Sequence, residues 1–409
     1  MLIRSSFAQY SKLLREFIQS HSHGEATSEG PCPAEIDRQF EQLALELLAL
    51  QFQHNSAYRQ ICQGLDIIPE RIGHWPEIPS VPAIAFKEWE LTSLAAAERT
   101  TVFYSSGTSE QRPSRHFHNR ESLLLYEASS LPWFQIHFLP TLELPQESLN
   151  GSRALQPRFV ILTPSPASAP HSSLVHMFET VRRAFGSHDS VFTGMIDTQG
   201  LWKLDMTGTE SVIRETISAA RPIALLGTAF SFVHLLDHLV KNGIRWELPA
   251  GSRVLETGGY KGRSRSLPKN ELHALIRGHL GIPETHIICE YGMSELSSQA
   301  YDRAAGSDPS VFRFPPWARA RIISPETGAE VADGETGLIQ VFDLANVTSV
   351  MAVQTEDLAI RRGRGFELIG RAELAEPRGC SLMASGSVWW GEATDEPAPE
   401  DARPTKKPT

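Results

Sequence analysis

The chain has 409 residues, a formal net charge of -10 and four cysteines. That length buries a sizeable core and has room for two or three lobes. An acidic balance argues against nucleic acid as the main partner, because counterion release needs a basic face. No apolar run reaches membrane-spanning length and the first residues lack an apolar signal core, so a cytoplasmic protein with no membrane span is expected. Cys32, Cys62, Cys289 and Cys380 show no CxxC or zinc-like pairing, and each is expected to be a free thiol.

In chain order, residues 40–53 space Leu43, Leu47 and Leu50 as an amphipathic helix, and residues 76–82 read as a Pro-marked loop. Thr101-Val102-Phe103-Tyr104 is strand-like, and His116 and His118 flank Phe117 so that one face of a strand could approach the substrate, a pattern that simple strand alternation explains equally well. The aromatics of Leu131-Pro132-Trp133-Phe134 suit either an acyl tunnel or packed core, with core the commoner fate. Strand patterns then fall at 159–162, 223–226, 254–256 and 287–290, alternating with helix patterns at 174–185, 210–220, 230–241 and 269–280. Such alternation predicts α/β layering with a largely parallel sheet. His234 and His238 lie four apart on one of these helices, but without a third ligand they read as solvent-facing. Beyond Pro315 short strands with Gly turns (320–323, 337–342, 359–361, 366–369) predict a small β-rich lobe. Residues 391–409 are charged and Pro-rich and are expected to be disordered.

Two loops carry chemistry. After the first strand comes SSGTSEQRPSR, where Ser105, Ser106, Thr108 and Ser109 surround Gly107 and Arg112 and Arg115 add charge-assisted donors. This composition suits phosphate oxygens, while the Walker A and Rossmann glycine patterns are both absent. After the apolar run His286-Ile287-Ile288-Cys289 comes Glu290-Tyr291-Gly292-Met293-Ser294-Glu295.

SSGT followed at this distance by YGMSE resembles the adenylate-forming superfamily of acyl-CoA synthetases, peptide-synthetase adenylation domains and luciferases. VPAIAFKEWELTS at 81–93, ETGGYKGRSR at 256–265 and GRAELAEPRGCSL at 370–382 are similar to its LuxE-like acyl-protein synthetases. The resemblance spans about residues 35 to 390. It implies an α/β large domain of layered, largely parallel sheets over 1–314, a small β-rich lobe over 315–370, and a short arm over 371–390 in place of a full C-terminal domain. It assigns Ser105, Ser106, Gly107, Thr108 and Ser109 to the triphosphate of ATP, Thr108 with a catalytic share. Gly258 and Gly259 go beside adenine, Tyr291 and Gly292 continue that wall, and Ser294 lies near the α-phosphate. Glu295 is the implied Mg²⁺ ligand, Asp357 the ribose-binding acid, Arg371 the hinge-side arginine and Cys380 the acyl acceptor.

The implied reaction turns a carboxylic or fatty acid and ATP into acyl-AMP, passes the acyl group to the enzyme cysteine, and delivers it to an acyl reductase partner. Alternatives are a ligase to CoA or a carrier protein, and a non-catalytic acyl- or nucleotide-binding subunit of a reductase complex. Two departures stand out. Glu110, Gln111, Arg112 and Arg115 occupy the end of the first loop, where relatives carry Gly and Lys. Only 38 residues follow Arg371, which argues for the protein thiol over CoA. Neither the acid nor the oligomeric state is legible.

Overall fold

The computed structural model describes residues 6–22, 33–105, 112–140, 157–258, 267–307 and 310–371. Its first elements are α1 (Phe7–Ser20), α2 (Pro33–His54), α3 (Ser56–Gly64), β1 (Val81–Pro82) and α4 (Ala85–Glu88). The β2 (Thr101–Tyr104) and β3 (Arg115–His118) pair and the long α5 (Arg120–Phe138) follow. Next come β4 (Arg158–Ile161), α6 (Ser173–Phe185), β5 (Val191–Phe192), β6 (Gly194–Ile196), β7 (Trp202–Leu204), α7 (Met206–Ser218) and β8 (Ile223–Thr228). The middle closes with α8 (Ala229–Lys241), β9 (Arg253–Thr257), α9 (Lys269–Leu280), β10 (Ile287–Tyr291) and β11 (Ala300–Tyr301). Last are β12 (Ala318–Ile323), β13 (Thr336–Asp343), β14 (Ala352–Arg362) and β15 (Gly365–Arg371).

The strands β4, β8, β9 and β10 are buried at every position, as expected of a parallel sheet covered on both faces. Side chains alternate accordingly. Val160, Leu225, Val254 and Ile287 join Phe232, Leu236, Leu272 and Ile276 on one face, while Phe159, Leu226, Leu255 and Ile288 join Phe134, Phe138 and Phe178 on the other. The strand order is β11-β10-β9-β8-β4-β5, with β11 antiparallel and the remaining pairs parallel. This is the α/β architecture expected, and Phe134 is core, fully buried.

The β-rich part is a sheet ordered β1-β14-β13-β12, with β15 also on β14. Its strands are antiparallel except that β1 runs parallel to β14 through Val81↔Val353 and Pro82↔Gln354. The loop expected over 76–82 therefore ends in a short strand. The N-terminal helices pack on this sheet: Tyr10, Leu14, Phe40, Leu47 and Tyr58 share one buried cluster with Val341, Phe342 and Val353.

The helix read over 40–53 extends to Pro33 and His54. The helix read over 210–220 starts earlier, at Met206 behind its N-cap Asp205, and stops at Ser218. Residues 372–409, including the tail over 391–409, lie outside the described residues.

Candidate active site

The two motif loops meet. β2 ends at Tyr104 and β3 returns at Arg115, so Ser105 and Ser114 stand at the two feet of the SSGT loop. There the Ser114 amide donates to Ser105 Oγ at 3.0 Å and the Ser105 amide donates to the Ser114 carbonyl at 3.3 Å. The Ser114 hydroxyl donates to Glu295 Oε1, across 181 residues of chain. Glu295 Oε2 accepts from Ser294 Oγ at 3.0 Å, and the Glu295 carbonyl accepts from Asn346 Nδ2 at 2.8 Å. His116, buried on β3, donates from Nδ1 to the Ser294 carbonyl at 2.8 Å. Burial raises the Glu295 carboxyl above its ordinary range, and the two serine hydroxyls act against that shift. Burial likewise pushes His116 down to about 4, so at neutral pH it is an uncharged donor.

Tyr291, the last residue of β10, donates its hydroxyl to Asp357 Oδ2 at 2.8 Å. Asp357 on β14 pairs in register with Arg371 on β15, and Arg371 Nε stands 3.8 Å from Asp357 Oδ1. With the Arg371 side chain 80% exposed, that ion pair contributes little to stability and leaves the guanidinium free to move. Burial raises Asp357, with the Tyr291 hydrogen bond and Arg371 opposing. Phe312, Phe314 and Phe366 enclose the Tyr291 ring. At Gly292 a Cβ would come within 2.3 Å of the Glu290 carboxylate, so a side chain there displaces a buried group. At Gly258, just after β9, a Cβ would meet none of the described residues within 4 Å.

The structure thus brings together Ser105, Ser294 and Glu295, and separately Tyr291, Asp357 and Arg371. Ser106, Gly107, Thr108, Ser109, Gly259 and Cys380 lie outside the described residues. The Arg115 guanidinium pairs with Glu90 at 3.2 Å and lies over Phe117. His234 is exposed as expected, whereas His238 is half-buried against Glu210, Nε2 to Oε1 at 2.6 Å.

Sequence reasoning missed Ser114 and Asn346, and named His116 only as one of two histidines on a strand face that could approach the substrate. The alternation in Arg115-His116-Phe117-His118 was the available signal for His116, since it puts both histidines on the inner face. Asn346 had none, sitting in a turn whose partners are remote in sequence. The Glu295 carboxylate, with two serine hydroxyl oxygens beside it, is the kind of hard oxygen ligand that suits Mg²⁺.

A family model described as acyl-protein synthetase, LuxE, matches residues 189–388. The long-chain-fatty-acid–luciferin-component ligase of Aliivibrio fischeri is 24% identical over 368 residues, covering 85% of this chain and 88% of that protein. The ligase of the same name from Vibrio harveyi is 21% identical over 343 residues, covering 82% and 84%. Among solved structures, an open conformation of 2-hydroxyisobutyryl-CoA ligase with 2-HIB-AMP and CoA superposes with a TM-score of 0.60. It is 12% identical and covers 86% of this chain and 75% of that one. These matches bear out the resemblance carried by the two loops, the last of them for the fold.

Proposed function

We propose that this chain, an acyl-protein synthetase of the LuxE type on an adenylate-forming fold, activates a long-chain fatty acid with ATP and holds the product as a thioester on Cys380. One observation carries the reading: the foot of a hydroxyl-rich loop is hydrogen-bonded to the carboxylate of the YGMSE segment. A phosphate-binding turn and an acid able to hold a cation therefore share one wall, which is what phosphoryl chemistry asks of a protein.

In this reading Ser105, Ser106, Gly107, Thr108 and Ser109 take the triphosphate, and Gly258, Gly259, Tyr291 and Gly292 form the adenine wall. Ser294 stands near the α-phosphate. Asp357 has Oδ2 engaged by Tyr291 and turns Oδ1 toward Arg371, so Oδ1 is the oxygen for the ribose hydroxyls. Mg²⁺ at Glu295 would neutralise phosphate charge. The acid's carboxylate oxygen attacks the α-phosphorus, the bond to the β-phosphate oxygen breaks, and pyrophosphate leaves. The Cys380 sulfur, having lost its proton to solvent, then attacks the acyl carbon and AMP departs. The acyl group goes on to a reductase partner, in the cytoplasm.

The test uses radiolabelled fatty acid and ATP with the full chain. Acid-dependent pyrophosphate release is expected in wild type and in Cys380→Ala, with hydroxylamine-sensitive label on the protein only in wild type. Label that persists in Cys380→Ala moves the acceptor to another cysteine. Transfer to added CoA without protein label favours a CoA ligase, and absence of pyrophosphate release with every acid offered sinks the adenylation reading.

A further inference from the structure

Behind the nucleotide wall the parallel sheet holds a polar cluster that the adenylation chemistry does not use. Glu256 on β9 and Cys289 on β10 are register partners. Strand alternation puts Glu256 on the face of Val254 and Cys289 on the face of Ile287, the face that α9 covers with Leu272 and Ile276. α9 also supplies His273. The three side chains are 6%, 4% and 3% exposed, in positions where a sheet-helix contact ordinarily carries apolar groups.

Their atoms converge. Cys289 Sγ lies 3.2 Å from Glu256 Oε2 and 3.5 Å from His273 Nε2, and the third edge, Nε2 to Oε2, is 3.9 Å. Tetrahedral zinc, with bonds of roughly 2.3 Å to sulfur and 2.0–2.2 Å to nitrogen and oxygen, spaces such ligands about 3.4–3.6 Å apart. A bound ion therefore needs shifts of only a few tenths of an ångström in the side chains.

The surroundings leave these ligands to balance the charge themselves. Beside them Lys269 and Asp302 pair with each other, Nζ to Oδ2 at 2.8 Å. Asp302 Oδ1 accepts the Cys289 amide at 2.8 Å, which fixes the backbone that presents the thiol. A thiolate and a carboxylate then match the charge of one divalent cation in this buried site. Sulfur and imidazole select a borderline-soft ion of the zinc class over Mg²⁺ or Ca²⁺.

We propose that Glu256, His273 and Cys289 bind one zinc-class divalent ion, the Cys289 thiol giving up its proton on binding. Three protein ligands leave a fourth position for water. Such an ion ties β9, β10 and α9 together at the base of the segments that lead to Gly258 and to Tyr291, a structural role distinct from that of Mg²⁺ at Glu295.

Full-length protein purified without chelators is expected to carry one zinc per chain by elemental analysis. After the zinc is stripped, cobalt(II) alone is expected to restore thiolate-to-cobalt charge-transfer absorption together with the visible bands of a tetrahedral ion. Cys289→Ser should lose the charge-transfer band, and His273→Gln should lose the tightly held zinc. If those variants do not fold, the Cys32→Ala/Cys380→Ala double variant, changed only outside the described core, should keep the band. Wild-type protein that is zinc-free and gives no charge-transfer band with cobalt overturns the proposal. So does a band that survives Cys289→Ser, or one that the double variant lacks.

Discussion

The cation-binding role proposed for Glu295 requires its carboxyl to be ionised. Burial drives its carboxyl toward the neutral form, and two serine hydroxyls hold it back. Glu295→Gln keeps the shape and removes the charge, so adenylation should fall by about a hundredfold or more, a loss typical for removing one group that stabilises transition-state charge. Acid-dependent pyrophosphate release measures the loss, with circular dichroism reporting an intact fold. Glu290, two residues before Gly292 on β10, behaves differently: burial and Glu256 push it up to about 8. Below its ordinary value of 4.5 both folded and unfolded chains carry this proton. Between there and about 8 only the folded chain keeps it, so stability is lost as pH rises, by up to about 1.4 kcal/mol per pH unit. Glu290→Gln should remove that slope. Urea midpoints for the two proteins are expected to agree at acid pH and to separate toward pH 8, with the variant the more stable.

At the scale of elements, the hairpin of β2 and β3 is the clamp that fixes the YGMSE segment, through Ser114 on Glu295 and His116 on the Ser294 carbonyl. Ser114→Ala leaves Glu295 Oε1 buried without its hydroxyl donor, which costs about 1–3 kcal/mol. It also lets burial raise the Glu295 carboxyl further. A smaller fraction is then ionised at a given pH, and the acid limb of the pyrophosphate-release profile should move to higher pH. A profile that only drops in height would mean that Ser114 supports the fold and not the charge of Glu295. The strands around this clamp were legible from sequence because full burial writes them as unbroken apolar runs, as in Ile287-Ile288-Cys289. Helices were legible where one face is apolar, as in Lys269–Leu280. α5 was not, since Leu123-Leu124-Leu125 and the interior Pro132 blur its period. α1 carried a readable capping box at Ser6 and Gln9, with Tyr10, Leu14 and Phe17 on one face, and went unread.

For the whole molecule, the ends of the described chain cooperate through polar atoms that no local pattern reveals. Gln51, on an N-terminal helix and fully buried, donates from Nε2 to the Asn346 carbonyl at 2.8 Å and to the Val347 carbonyl at 3.3 Å. It accepts the Met351 amide at 3.0 Å through Oε1. Asn346 in turn donates to the Glu295 carbonyl and accepts from Ser297, while Asp343 takes the amides of Ser297 and Ser298 at 2.8 Å. The helix thus reaches Glu295 through one turn of the β-rich sheet. In sequence Gln51 ends an ordinary amphipathic stretch and Asp343 and Asn346 read as turn residues, because their partners lie up to about 300 positions away. Gln51→Met conserves volume and strips the hydrogen bonds, leaving the Val347 carbonyl and the Met351 amide buried without a partner, while the Asn346 carbonyl keeps the Ser349 amide at 3.3 Å. At about 1–3 kcal/mol for each unsatisfied group, partly relieved by relaxation, a loss of roughly 3 kcal/mol is expected in urea unfolding. Because the loosened turn carries Asn346, the same variant should also slow pyrophosphate release at saturating ATP, although Gln51 touches none of the residues assigned to the nucleotide. A variant that loses stability while keeping the wild-type rate would show that the helix supports the sheet without positioning Glu295.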